Sequence, residues 1–272
     1  EDDEHPGDDE PFEVAAGLPT HRVVDPLLQA RLRGAADVDA EFMRAQAGGD
    51  LPVGGSGAQR FFELVQESDD AARRALAGGG RVREFSVRAQ IGATELVADG
   101  LLAADDVAVL AARSKSDRHE LRLWILHLLL AAARGQGAPG LPTISRFAYR
   151  KGIVELGELD PDQARSRLQT LIEGYALGAT RPLPFAPQTS RAYHKELAKN
   201  PDQEHSARAK ARKALLESPH NSTMPAEGDS PANRLAWRGA DLTQAADFGD
   251  WAAVVWSGFD DVKLSQRGGG SS

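Results

Sequence analysis

The chain has 272 residues, 41% of them hydrophobic and 26% charged, which is ordinary for a soluble globular protein of one large or two small domains. The net charge of −8 argues against an autonomous, tight DNA-binding protein, because phosphate contacts require clustered Lys and Arg. The absence of cysteine excludes disulfides, thiol catalysis and Cys-ligated zinc, and it fits a cytoplasmic location. No apolar run reaches the roughly 18–20 residues that span a bilayer, so no membrane contact is expected.

The two ends of the chain are predicted to lie outside the folded domain. Residues 1–20 are rich in acidic residues and proline, which is typical of a mobile, solvated segment. This segment is neither basic nor apolar, so it is not a signal peptide, and its start without Met indicates a piece of a longer protein. Residues 266–272 are glycine- and serine-rich and are predicted to be a flexible tail. A single domain is expected over 21–265.

The first part of this domain, 21–77, is predicted to be helical. A glycine-rich turn interrupts it at GGSGAQR. A phosphate-binding P-loop would need a Lys and a hydroxyl residue that this turn lacks, so we interpret it as the entry to a helix over 58–77. The positions expected to be buried are Leu27, Leu28, Leu32, Phe42 and Met43.

A β meander followed by a helix is predicted over 81–134. The sequence RVREFSVRAQ alternates in the manner of a strand, and further short strands follow to Ala112, with a tight turn predicted at Ala98–Gly100. The helix from Asp117, its expected cap, to Arg134 is indicated by apolar residues at three- and four-residue spacing. These are Leu121, Trp124, Ile125, Leu128 and Leu129.

The remaining elements are predicted to be a hairpin with a helix over 144–178 and a helical part over 190–257. The hairpin should turn at Lys151–Gly152, and the next helix should begin at Pro161 with Asp160 as its cap. The order of helices and strands indicates an α/β fold.

The third strand of the meander raises the question of nuclease chemistry. In the PD-(D/E)XK class of magnesium-dependent nucleases, one meander strand carries an Asp, the next carries an Asp/Glu-x-Lys set, and a helix packs behind. In VLAARSK, Ala111 stands at the second acid and Arg113 at the Lys, while Glu95 is the candidate for the first acid. Alanine cannot bind a metal and arginine is a poor general base. A degenerate site near these residues, without a metal, is therefore expected.

The histidines do not supply a metal site either. In HELRLWILH, the H-E-x-x-H zinc spacing would need His at the position of Leu123. His127 lies among apolar residues, and we interpret it as a packed helix histidine.

Basic side chains concentrate on the predicted hairpin and in the C-terminal helices. They form either a solvated surface or a surface that contacts DNA phosphates or an acidic subunit. The aromatic residues Trp237, Trp251, Trp256 and Phe259 favour burial over base stacking, because basic residues are not interleaved with them. The candidates for DNA contact are Arg146, Arg150, Lys151, Arg191, Lys195, Arg208, Lys210 and Arg212.

Several segments in order, above all LRLWILHLLL and LIEGYALGATRPLPF, resemble the C-terminal region of the RecC family, the gamma subunits of exodeoxyribonuclease V (RecBCD). The resemblance implies a nuclease-like (restriction-endonuclease-like) fold with a small mixed sheet flanked by helices, in which the catalytic residues are lost. It also implies RecB-like and RecD-like partners, which use the ATP and magnesium of an ATP-dependent exodeoxyribonuclease and helicase. This domain itself would hold no cofactor.

The family further implies a role in DNA repair by homologous recombination, in which a protruding hairpin splits double-stranded DNA ends and forked DNA. The first candidate for that hairpin is 90–104, where Leu96, Leu101 and Leu102 suit either an apolar wedge or a core. The second is 150–152. Two alternatives stay open: an active magnesium-dependent PD-(D/E)XK nuclease, and a purely structural module that docks subunits.

Overall fold

The computed structural model describes residues 18–34, 37–77, 79–218 and 225–264. Over these residues the chain forms an α/β fold, in which helices flank both faces of a mixed five-stranded sheet. The predicted α/β class is confirmed. The strands are β1 (Arg83–Ile91), β2 (Thr94–Leu102), β3 (Val107–Ala111), β4 (Ile144–Tyr149) and β5 (Gly152–Leu156).

The described residues also form nine α-helices and two short 3₁₀ turns. The predicted mobile segment overlaps the first helix at residues 18–20, and the rest of it, like the predicted tail, lies outside the described residues. The helices are α1 (Leu18–Arg33), α2 (Val38–Ala47), α3 (Gly55–Ala75), α4 (Asp117–Gly135), α5 (Pro161–Gly178), α6 (Pro187–Lys199), α7 (Glu204–Leu216), α8 (Pro231–Trp237) and α9 (Phe248–Trp256).

The strands lie in the sheet in their order along the chain. All neighbours are antiparallel except β3 and β4, which are parallel and joined through α4. The predicted meander is present, but the turn predicted at Ala98–Gly100 is wrong, because β2 runs straight through it. The chain reverses instead at Gly92, whose φ of 57° favours glycine. Gly100 has a packing role: the ring of Phe85 lies where a β-carbon would be.

Helix α4 is the centre of the larger core. Its side chains pack on β1 and β3–β5 on one side and on α5 and α9 on the other, so almost its whole circumference is buried. Leu123 and Leu130, outside the predicted stripe, are therefore buried as well, whereas Ile125 is exposed. The predicted cap was wrong by one residue, because the Ser116 side chain accepts the bond from the His119 N–H.

The opposite face of the sheet is covered by α1 and α3. Leu28 and Leu32 pack there against Val109 of β3, and Leu27 joins a smaller core with α2 and α3, as predicted. Phe42 is half-buried with its ring 5.0 Å from that of Phe61. Met43 was predicted to be buried, and this prediction is wrong. Met43 follows Phe42 on α2, and its side chain points towards solvent.

The remaining helices form a third packed region around α6 and α7. Upstream of it, β4 and β5 form the predicted hairpin at Lys151–Gly152, and Asp160 caps α5 by accepting a bond from the Gln163 N–H at 2.8 Å. Within the part of the chain that the structure describes, no helix is long and apolar enough to cross a membrane.

Candidate functional site

A cleft opens beside the degenerate strand β3. The ladder between β2 and β3 consists of two pairs, Leu101 with Val109 and Leu102 with Ala108. Past these pairs the β1–β2 hairpin diverges from β3. The space between α1, the hairpin and β3, which we call the β3 cleft, has a volume of about 690 Å³, and Ala111 lies in its wall.

Glu95 does not belong to the β3 cleft, so its assignment as the first acid is corrected. It is exposed on the hairpin, 3.6 Å from Arg88. If the β2–β3 ladder continued two residues further, Asp99 would stand opposite Ala111, and Asp99 does line the cleft. Strand alternation puts Glu95 and Asp99 on the same face of β2, so only the β2–β3 register, which the sequence does not report, brings Asp99 rather than Glu95 to Ala111.

The other charges in the β3 cleft largely balance each other. Glu84 accepts a bond from Arg33 at 3.0 Å, Asp25 lies on the α1 side, and Arg122 lies on the α4 side. Among the described residues, no group of three or more His, Asp and Glu side chains is arranged to hold a metal ion. The cleft is thus open, but its carboxylates are dispersed.

Arg113, at the position of the nuclease lysine, is held by an ion pair. Glu67 of α3 accepts bonds from Arg113 at 2.6 Å and from Arg150 at 2.5 Å. Burial raises the pKa of Glu67, but the hydrogen bonds and charges of the two arginines outweigh it and hold that pKa below its usual value. Arg113 and Arg150 therefore join α3 to the end of β3 and to the β4–β5 turn.

Arg146 is buried, so the structure removes it from the predicted DNA-contacting set. Its guanidinium donates to Glu155 at 2.7 Å, to Asp105 at 3.0 Å and to the carbonyl of Ala75 at 3.0 Å. With these three acceptors around it, the side chain ties α3 to the sheet, and a phosphate has no access to it.

Arg191 is also buried, so it too is removed from the predicted DNA-contacting set. Only 1% of its side chain is exposed, and it donates to both oxygens of Asp260 at 2.8 and 2.5 Å. The Cζ atom of its guanidinium group lies 4.7 Å from the ring centres of Trp256 and Phe259. Glu120 of α4, with no exposed surface, lies 3.8 Å from its Nε. This arginine joins α4, α6 and the C-terminal end of the fold.

The other predicted DNA contacts are more accessible, but most are paired within the chain. Lys195 lies 3.4 Å from Asp117, and Arg212 lies 2.9 Å from Asp241. Arg208 donates to the carbonyl of Thr243 at 2.6 Å. Within the described residues, Lys151 and Lys210 are exposed and have no acidic oxygen within the 4.0 Å of an ion pair.

The leucines proposed as an apolar wedge do not form one. Leu102 is buried, and Leu96 and Leu101 are half-buried against the two cores. The outer face of the hairpin carries polar residues and Val97, which is 51% exposed. The hairpin also lies on α4, because Gln136 accepts a bond from the Gln90 N–H and donates to its carbonyl.

His127 is a packed core histidine, as predicted. Its Nδ1 lies 2.9 Å from the Ser145 hydroxyl, and it has no exposed surface. Burial, and secondarily the charge of Arg134, lowers the pKa of His127 to about 4. The side chain is therefore neutral near pH 7 and links α4 to β4.

A family model for the RecC C-terminal domain matches residues 1–198, which is well over half of the chain. The chain belongs to the RecC C-terminal domain family. The resemblance seen in the sequence is thus confirmed. The RecBCD enzyme subunit RecC of Escherichia coli (strain K12) is 28% identical over 250 residues, which cover 88% of this chain and 21% of that protein. The chain spans about a fifth of the length of this curated relative, and its helices α7, α8 and α9 lie beyond the part that the RecC family model matches.

Proposed function

We propose that this chain is a non-catalytic C-terminal domain of a RecC-type subunit in an ATP-dependent helicase–nuclease. In this role it guides and parts DNA ends and docks RecB-like and RecD-like subunits, in double-strand break repair by homologous recombination. One observation carries the non-catalytic part: of the two positions that a nuclease gives to an acid and a lysine, the first holds Ala111, in the wall of the β3 cleft, and the second holds Arg113, in an ion pair with Glu67.

The proposed core is that of a PD-(D/E)XK nuclease. In support of this, the three-strand meander ends in β3, α4 packs behind it, and β4 returns parallel to β3. The strand that would carry the acids borders an open cleft, as a nuclease site must. We propose that this domain binds no cofactor, and that ATP and magnesium act in the partner subunits.

Cleavage assays test the non-catalytic proposal directly. The purified protein is incubated with linear DNA and Mg²⁺ or Mn²⁺, and we expect no cleavage above a metal-free control. The informative variant is Asp99→Ala, because Asp99 rather than Glu95 lines the β3 cleft. Cleavage that Asp99→Ala abolishes and Glu95→Ala leaves intact would establish the active nuclease instead.

The proposed strand-parting element is the outer face of the β1–β2 hairpin. Deleting the segment around Leu101 would break the β2–β3 ladder, so a substitution on the exposed face is the sharper test. In the complete helicase–nuclease complex, Val97→Asp should slow duplex unwinding and leave ATP hydrolysis unchanged. Val53→Asp, at a position that is also exposed, is the matched control. Unwinding at the normal rate by the Val97→Asp complex would rule out this face.

A purely structural docking module is the second candidate. It is favoured by the ion pairs that engage most of the predicted DNA-contacting side chains, including Lys195 and Arg212. Photo-crosslinking of forked DNA to the complete complex separates the two proposals. Adducts on the β1–β2 hairpin or near Lys151 support DNA handling, whereas adducts confined to other domains support the docking module.

A further inference from the structure

One surface outside the family match brings together side chains that the sequence separates. Helices α7 and α8 face each other across a groove of about 580 Å³, here called the α7–α8 groove. Arg234, Trp237 and Arg238 line it from α8 and its C-cap, at a spacing of three and four residues that places them on one helix face. Arg212 and Leu216 line it from α7 at the same four-residue spacing.

Trp237 differs from the other tryptophans of the C-terminal helices. Trp256 is fully buried, and the indole N–H of Trp251 donates to Asp247 at 3.2 Å. Trp237 is half-buried, with one part of its ring against the α6–α7 core and the rest in the wall of the α7–α8 groove. A ring that is backed by a core on one side and accessible on the other is a suitable platform for stacking.

The α7–α8 groove is locally positive in a chain of net charge −8. Its three arginines face two acidic residues, Asp229 and Asp241. Asp241 is occupied by Arg212, 2.9 Å away, so Arg212 is held against Asp241 in the wall of the groove. Among the described residues, Arg234 and Arg238 have no acidic oxygen within the 4.0 Å of an ion pair, and both are exposed.

We propose that the α7–α8 groove binds single-stranded nucleic acid, with one unpaired base stacked on Trp237 and the adjacent phosphates paired with Arg234 and Arg238. An indole that shares a groove with three guanidinium groups favours this ligand over an acidic peptide, which offers the carboxylates but no planar ring. The inference rests on the proposed function in one respect, because strand separation by the complex is what supplies the unpaired strand.

The binding experiment uses the purified protein and a short fluorescein-labelled oligothymidylate, followed by fluorescence anisotropy. We expect Trp237→Ala to weaken binding about tenfold or more and Trp237→Phe to weaken it less, because a phenyl ring still stacks. Arg234→Gln with Arg238→Gln changes two exposed side chains, so the variant should fold normally. Each lost phosphate contact should reduce the slope of log affinity against log salt by roughly 0.7. Arg118→Gln, an exposed arginine on α4, is the matched control.

Three results would overturn the proposal. The first is oligothymidylate binding that is absent, or that all the groove variants retain. The second is displacement of the oligonucleotide by an oligoglutamate of equal charge with no sensitivity to Trp237→Ala, which would assign an acidic peptide. The third is equally tight binding of thymidine monophosphate, which would assign a free nucleotide. Loss of unwinding in the Val97→Asp complex is measured independently, so either proposal can fail while the other stands.

Discussion

The inner side of α6 and the outer side of α7 carry the same kind of side chain in opposite surroundings. Arg191 on α6 is 1% exposed and is enclosed by Asp260 and two aromatic rings, whereas Arg212 on α7 is 60% exposed beside Asp241. Both belong to basic stretches that predict DNA contact. The comparison teaches that what packs around a guanidinium, rather than its neighbours in sequence, decides whether it supports the fold or is available to a ligand.

Removing the buried guanidinium tests this comparison with the largest expected effect. Arg191→Ala leaves the Glu120 carboxylate buried without one of its nearby cations and frees Asp260 from its bidentate partner. We expect the free energy of unfolding to fall by about 3–5 kcal/mol. Arg212→Ala, by contrast, should lower it by less than about 1 kcal/mol. Urea unfolding measures both, and equal losses would contradict the distinction.

The neutral histidine in the core gives the second effect, which depends on pH. Because the pKa of His127 is about 4 in the folded protein against an ordinary 6.5, the unfolded chain takes up a proton at a pH where the folded chain does not. The contribution of neutral His127 to the free energy of unfolding is complete above pH 6.5. It is lost as the pH falls towards 4, by up to about 3 kcal/mol.

Urea unfolding of the wild type and of His127→Gln between pH 7 and pH 4.5 measures this contribution. The variant loses the Ser145 contact and is less stable at pH 7, but its stability should fall less steeply with pH. Parallel pH profiles for the two proteins would mean that His127 is not the titrating group.

The acidic bridge at the degenerate strand gives a smaller effect with its own pH window. The pKa of Glu67 is held below its ordinary 4.5 by Arg113 and Arg150, so its stabilisation is present above pH 4.5 and is lost as the pH falls through the lowered value. Glu67→Gln should destabilise the protein by about 1 kcal/mol at pH 7, because the pairs are partly solvated. The difference from wild type, followed by thermal unfolding, should shrink below pH 4.5. A constant difference would point to packing rather than charge.

Much of the fold could be predicted because its signals are local. The spacing of Trp124 and Leu128 predicts α4, and Asp160 with Pro161 predicts the start of α5; both are present. The turn at Ala98–Gly100 was predicted from the presence of glycine, but Gly100 is required by the close approach of Phe85, a contact across strands that sequence spacing does not report.

The candidate sites were less predictable, because burial and pairing depend on elements far apart in the chain. Arg146 looks like a surface hairpin residue, but its acceptors Asp105 and Ala75 lie well before it in sequence. In the same way, Trp237 and Arg212 come to line one groove only when the folded chain brings α7 and α8 to its two sides. Ala111 and Arg113 can be read from the sequence VLAARSK itself, so the departure from a nuclease motif could be predicted. The positions of the acidic side chains around the cleft could not, because they depend on how the strands pair.

The outer face of the β1–β2 hairpin provides the smallest expected effect. Its arginine, Arg88, is still more exposed than Arg212. Arg88 and Glu95 lie 3.6 Å apart with 69% and 53% of their side chains exposed. A double-mutant cycle of Arg88→Ala and Glu95→Ala should therefore give a coupling energy below about 0.5 kcal/mol, which declines further as salt is added. A coupling of 2 kcal/mol or more, on the order of a desolvated pair, would mean that this face is shielded from water in solution. In that case the hairpin would be covered rather than free to meet DNA, and the docking module would become the better proposal for this surface.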